Sequence, residues 1–301
     1  MKDLFIVNPK AGNGEGLRKS KIIEEIAKKR KQPYEMIYTQ HPLHATEIAR
    51  SYRQSDDVRV FAVGGDGTLN EVLNGMNVGV SLGIIPCGSG NDFFRMITNR
   101  SYDFETMVQD TLNGTIEKID YGILNGRKFM NSFSVGIDAT ITRKAKQLQA
   151  KSKLKAGAYM QSALLEVLHP TPLHVTLELE DRSITKDALL ISSLNGKWYG
   201  GGFMPAPTAN ISDGLFEVSV IDYISTLRIL PLFPRYMAGK HTKASVVTVF
   251  QTNRFTLHTS ELTQAQIDGE LIEGTHFELQ VIHQGLPLVI PKGDQYDYHR
   301  K

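Results

Sequence analysis

The chain has 301 residues, 41% of them hydrophobic, with 34 Lys and Arg against 32 Asp and Glu and a net charge of +2. That length and apolar content predict two domains, and the near balance of charge offers no general argument for a nucleic-acid partner. A single cysteine, Cys87, excludes an intramolecular disulfide, and no apolar run approaches the roughly 20 residues of a bilayer span; with no secretory pattern in the opening residues, a cytoplasmic setting is expected.

In chain order, Leu4 to Val7 reads as a strand, Glu15 to Lys31 as a charged helix, Glu35 to Tyr38 as a strand and His44 to Arg53 as a helix. Val58 to Val63 and Leu82 to Ile85 follow as strands, each leading into a helical pattern. This alternation predicts an α/β domain, three-layered with a mostly parallel sheet, over residues 1–122. Beyond about Asp120 the period changes to two, in Leu173 to Glu180, Ala188 to Leu194, Leu215 to Ile221 and Phe277 to Ile282, predicting an all-β, sandwich-like domain over 123–285. Two helical stretches interrupt it, Ile141 to Leu168 and Thr226 to Met237; Pro231 and Pro234 predict that the second is kinked or broken.

Three glycine-rich segments leave strands of the first domain. Gly64-Gly65-Asp66-Gly67-Thr68 follows Val58 to Val63 and precedes a helix from Leu69; Pro86-Cys87-Gly88-Ser89-Gly90-Asn91-Asp92 follows the next strand; Asn8-Pro9-Lys10-Ala11-Gly12-Asn13-Gly14 follows the first. Glycines let a backbone approach phosphate oxygens, and a helix start supplies free N–H groups. Three such loops converge at the carboxyl ends of the strands, the usual ligand crevice of an open α/β sheet. Asp66, an acid in an anion-binding loop, implies a divalent cation between it and phosphate. Neither the phosphate loop ending in Gly-Lys-Ser/Thr nor the dinucleotide fingerprint is present.

These residues resemble the diacylglycerol kinase catalytic-domain family, in particular its soluble bacterial lipid kinases. Its Gly-Gly-Asp-Gly-Thr stands at 64–68, continuing as Leu69-Asn70-Glu71; its Gly-Thr-x-Asn-Asp stands as Gly88-Ser89-Gly90-Asn91-Asp92, with serine for threonine; its Asn-Pro-x-x-Gly stands at Asn8 to Gly12. Asn210-Ile211-Ser212-Asp213-Gly214-Leu215 looks like its metal loop and Asp268-Gly269-Glu270 like its terminal Asp-Gly-Glu. The resemblance implies ATP contacts at Asn8, Pro9, Lys10, Ala11, Gly12, Thr39, Gly64 to Glu71, Gly88 and Ser89. It also implies catalytic roles for Asp66, Asp92 and Glu270, the last as general base, and a magnesium ion at Asn210, Asp213 and Leu215. The acceptor it implies is a membrane lipid, most simply diacylglycerol, with the segment 286–301 rejoining the first domain. Both Asp-Gly pairs also read as hairpin turns. An NAD kinase-type enzyme and an inactive nucleotide-binding regulator are the competing functions.

Arg143, Lys144, Lys146, Lys151, Lys153 and Lys155 form an acid-free run, readable as a solvated helix face or as a peripheral contact with an anionic membrane. Lys240-His241-Thr242-Lys243 is a smaller basic cluster; Leu227 to Met237 before it reads as core or as a flap over lipid. The histidines show no zinc spacing, Cys87 no base partner, and a homodimer is left open.

Overall fold

The computed structural model describes residues 1–88, 90–98, 100, 103–151, 166 and 170–294. Its contacts divide the chain into two units. The first takes Met1–Tyr121, Asn210–Gly214 and the segment from Ile282; the second takes Gly122–Ala209 and Leu215–Val281.

Uninterrupted apolar runs make the central strands of the first unit. β1 (Lys2–Val7), β2 (Tyr34–Tyr38), β3 (Val58–Gly64) and β4 (Ser81–Pro86) pair in parallel in the order β4-β3-β1-β2. Every residue of β3 is buried, as a strand covered on both faces requires. The helices of this unit are α1 (Ala11–Lys29), α2 (His44–Arg50), α3 (Asp66–Gly75), α4 (Phe94–Ile97) and α5 (Phe104–Leu112); α1 packs on α5, and α2 on α3. Arg59 in β3 donates to both oxygens of Asp3 in β1, at 2.8 and 3.0 Å, and to the Leu112 carbonyl at the end of α5. That buried fork locks two neighbouring strands to the helix behind them.

The second unit is built from antiparallel ladders. β6 (Arg127–Phe129), β7 (Ser132–Gly136), β8 (Leu173–Glu178), β9 (Ser183–Leu194), β10 (Phe216–Asp222), β11 (Val247–Thr252), β12 (Arg254–Ile267) and β13 (Glu270–Ile290) follow β5 (Thr115–Leu124). Their order is β11-β10-β9-β7-β12-β13, with β8 paired to both β9 and β12. Phe133, Leu177, Ile191, Phe216, Leu257 and Phe277 centre its main core. A second apolar cluster packs α7 (Thr226–Met237) through Ile229, Leu232 and Tyr236 onto Leu189, Leu190 and Ile221. The remaining helix, α6 (Ile137–Lys151), begins earlier than its pattern indicates, and residues 152–165 and 167–169 of that expected helix lie outside the described residues.

The strand pairs among β1 to β4, and Leu288 beside Leu82, are parallel, whereas the ladders that join β7 to β12 and their neighbours β8 to β11 and β13 are antiparallel. Two expectations need correction. α2 stops at Arg50 and a 3₁₀ turn, Gln54–Asp56, follows. Pro231 and Pro234 do not break α7, because the buried stripe Ile229, Leu232 and Tyr236 outweighs the lost backbone bonds.

Candidate active site

Three loops at the carboxyl ends of β1, β3 and β4 touch one another within the first unit. After β1, Asn8 Nδ2 donates to Thr68 Oγ1 at 3.1 Å, while Asn8 Oδ1 accepts from the Lys10 amide at 3.0 Å. Gly12, Asn13 and Gly14 all have positive φ (58, 61 and 96°), so regular helix starts only after them. A Cβ at Gly12 would overlap the Cys87 carbonyl oxygen, so glycine alone permits that approach. After β4, a Cβ at Gly88 would lie 2.7 Å from the Gly65 Cα. Asn91, at φ 51°, closes this loop: its Oδ1 accepts from the Gly88 amide at 3.2 Å and its Nδ2 donates to the Gly88 carbonyl at 2.9 Å.

The loops border an open cleft of ≈ 370 Å³ lined by Asn8, Ala11, Gly12, Gly65 to Thr68, Glu71, Gly88 and Gly90. Gly64, Leu69 and Asn70 are buried beneath it. Pro9 and Lys10 continue the first loop; Thr39 donates its amide to the Val7 carbonyl and so sits beside the end of β1. Ser89 lies outside the described residues.

Asp66 opens α3, and its Oδ2 accepts from the Asp92 amide at 3.4 Å. A Cβ at Gly90 would lie 3.1 Å from Asp66 Oδ2 and 3.7 Å from Asp92 Oδ2, which puts both carboxylates beside one small residue. Burial, and then the charge of Asp92, push the Asp66 carboxyl above its ordinary range despite the backbone amides facing it. Asp92 is 6% exposed and pairs with Arg95 at 3.7 Å. Two adjacent carboxylates beside a glycine-lined cleft form a donor set that fits a hard divalent cation.

Asp120, near the middle of β5, was not singled out by motif. It is fully buried; its Oδ2 accepts from the Gly214 amide at 2.7 Å, and its Oδ1 from the Gln284 amide at 2.7 Å and from His283 Nδ1 at 3.0 Å. Its own amide donates to the Ile211 carbonyl at 2.7 Å. One carboxylate thereby anchors the 210–214 loop and the start of the C-terminal return. In that loop Asn210 Oδ1 accepts from the Ser212 amide and hydroxyl, while Asp213 is exposed. Leu215 is the first residue back in the second unit.

In the second unit Asp268 and Gly269 form a two-residue turn with φ of 46 and 80° between the paired Ile267 and Glu270. The Asp268 carboxylate accepts from the amides of Met130, Asn131 and Ser132 at 2.7, 2.9 and 2.9 Å. Glu270, the first residue of β13, is ion-paired with Arg127 and remains partly exposed. The same unit holds a small apolar pocket lined by Ile141, Leu189, Ile221, Ile229, Leu232 and Phe233, with Asp138, Tyr199 and Tyr236 as its polar members. Asp138 accepts from the Ser134 hydroxyl and from Gln266 Nε2, and the two tyrosine hydroxyls lie 3.1 Å apart. Tyr199 and Phe203, either side of the Gly200 to Gly202 run, pair as an isolated bridge, so that aromatic segment belongs to the cavity wall. Cys87 is buried, and burial pushes its thiol up to about 11, which suits a packing residue and not a nucleophile.

The first unit with its cleft and the β-sandwich-like second unit define a kinase of the lipid-kinase group. Residues 2–124 match the diacylglycerol kinase catalytic domain, and residues 131–290 match the YegS C-terminal NAD kinase beta sandwich-like domain. The chain belongs to the diacylglycerol kinase catalytic-domain family. It is 30% identical to the "Putative lipid kinase YtlR" of Bacillus subtilis (strain 168) over 91% of this chain and 95% of that one. It is 26% identical to the "Diacylglycerol kinase" of the same organism over 82% of each chain. A crystal structure of "a putative diacylglycerol kinase from Bacillus anthracis str. Sterne" shares the fold, with a TM-score of 0.76 and 22% identity over 96% of this chain and 97% of that one.

Proposed function

We propose that this protein transfers the γ-phosphoryl group of ATP to a hydroxyl of a membrane lipid, with diacylglycerol as the acceptor. The observation that carries the lipid reading over a water-soluble acceptor is the apolar cavity of the second unit. Its wall is built almost wholly from aliphatic and aromatic side chains, which suit the apolar part of a lipid, whereas a dinucleotide or sugar phosphate needs polar walls.

The glycine loops supply the donor site: Gly12, Gly65, Gly67 and Gly88 leave room for phosphate oxygens against the backbone, and the start of α3 directs amides toward them. Asp66 and Asp92 would hold a magnesium ion, which would supply neutralisation of phosphate charge during transfer. Glu270 takes the proton of the attacking hydroxyl, and Arg127 orients its carboxylate until substrate competes for it. Asn210 and Leu215, through main-chain carbonyls, and the Asp213 carboxylate would hold a further magnesium ion. Peripheral membrane association follows from the acceptor.

The test is transfer of label from γ-labelled ATP with magnesium to detergent-dispersed lipids, beside NAD and sugar phosphates, with Asp66→Ala as the blank. Label in a lipid, lost in the variant, supports the reading; label only in a soluble acceptor overturns it in favour of an NAD kinase-type activity, and label nowhere favours a regulator.

A further inference from the structure

α7 has two different faces. Ile229, Leu232 and Tyr236 are buried and, with Phe233, line the apolar cavity. On the outside Leu227 is 80% exposed, Leu230 and Tyr223 are each 41% exposed, and Pro231 and Pro234 are exposed as well. Leu227 and Leu230 are three residues apart and so share one side of the helix.

Scattered exposed leucines need no explanation; the charge around these does. From Tyr223 to Asn253 the chain contains no Asp or Glu, yet it carries Arg228, Arg235, Lys240 and Lys243. All four cations are exposed, and none forms an ion pair among the described residues. Apolar side chains rimmed by cations on one amphipathic helix make a surface for an anionic interface. The prolines fix the depth. Lacking N–H groups, Pro231 and Pro234 leave the carbonyls of Leu227 and Leu230 without their i+4 donors, which disfavours the hydrocarbon interior and suits the hydrated headgroup layer.

We propose that α7 docks this protein on an anionic lipid bilayer, with Tyr223, Leu227 and Leu230 entering the headgroup boundary and Arg228, Arg235, Lys240 and Lys243 facing the lipid phosphates. The proposal rests on the lipid-kinase reading for its purpose: the helix that touches the bilayer with one face lines the apolar pocket with the other. A second copy of the chain is a poorer occupant, because a symmetric contact would set these cations against one another, and the acid nearest in sequence, Asp222, is already paired with Lys186.

The experiment is co-sedimentation of the full chain with vesicles of phosphatidylcholine alone and of phosphatidylcholine mixed with phosphatidylglycerol, at low and high salt. Binding is expected on the anionic vesicles and is lost with salt, each basic residue contributing about fivefold to partitioning. Leu227→Ser with Leu230→Ser lowers binding by about tenfold at low salt. Arg228→Glu with Arg235→Glu lowers it by at least about 25-fold and removes the salt dependence. Unchanged thermal melting shows that the variants are folded. Equal binding to both vesicle types, or variants that bind like the unaltered protein, overturns the proposal; so does self-association abolished by the leucine variant without vesicle binding. Transfer to detergent-dispersed lipid is measured beside it and tests the kinase reading separately: vesicle binding that persists without transfer supports docking and sinks the kinase.

Discussion

Replacing Asp120 by asparagine tests whether one buried carboxylate holds the two returning segments to the first unit. Asparagine keeps one oxygen for the Gln284 amide and His283 but turns an amide nitrogen toward the Gly214 N–H, so a charge-assisted bond becomes a clash of donors. Losing one hydrogen bond to a charged group, with a buried donor left unmet, costs about 2–3 kcal/mol. At 1.4 kcal/mol per factor of ten, that raises the population of the opened first unit by roughly 30-fold or more. The chain carries its own reporters. Cys87, the sole cysteine, is buried in the first unit, and Trp198, the sole tryptophan, lies in the second. Thiol labelling of Cys87 along a urea gradient therefore follows the first unit, and tryptophan fluorescence follows the second. The Cys87 transition is expected at lower urea in Asp120→Asn and lower still in Asp120→Ala, with the Trp198 transition little changed. A Cys87 transition that stays in place in both variants refutes the role assigned to Asp120.

The Asp66 carboxyl is raised by burial and by Asp92, so the stability it contributes is full below the ordinary value of 3.8 and is lost as pH rises through its folded value. Asp66→Asn is accordingly expected to abolish transfer yet melt higher than the unaltered protein at neutral pH, with the gap closing in acid; calorimetry across pH decides. Gly12→Ala meets both a positive φ and the Cys87 carbonyl, whereas Gly14→Ala meets positive φ in open space. Both pay about 1–2 kcal/mol of backbone strain, but only Gly12→Ala should lower ATP affinity, by roughly tenfold or more on titration. Burial lowers His241 from 6.5 to about 4. Its contribution to stability is present above 6.5 and falls as pH drops toward 4, so His241→Phe should flatten the melting temperature over that window.

The parallel strands were legible because they are short, apolar throughout and punctuated by glycine. Val58 to Val63 and Leu82 to Ile85 fall inside β3 and β4 with their ends nearly right. The second unit hid more. β7 contains Ser132 and Ser134, at 2% and 1% exposure, so turn-forming residues stand buried in a strand of the sheet and mask it. β13 runs for 21 residues, but before Phe277 most of its residues face solvent wholly or in part, and Phe277 to Ile282 and the apolar run from Leu286 are the parts that show a strand's pattern. β12 carries a register shift between His258 and Thr263 that interrupts its period.

At the site, what local sequence conveys is backbone conformation, and what it withholds is the partner across the fold. Asp268-Gly269 reads as a turn and is one; the reason aspartate occupies it is three amides that lie 136 to 138 residues earlier in the chain. Asp213-Gly214 is the same case in reverse, since its glycine amide is held by an acid 94 residues away. Asp120 carries no motif of its own, because a lone acid in a strand reads as one polar position of an alternating face. The two readings of each Asp-Gly pair are therefore not rivals. The turn places the next residue, Glu270 after one and Leu215 after the other, and the long-range carboxylate contact fixes the turn; removing the contact should cost position at those residues before it costs the turn itself.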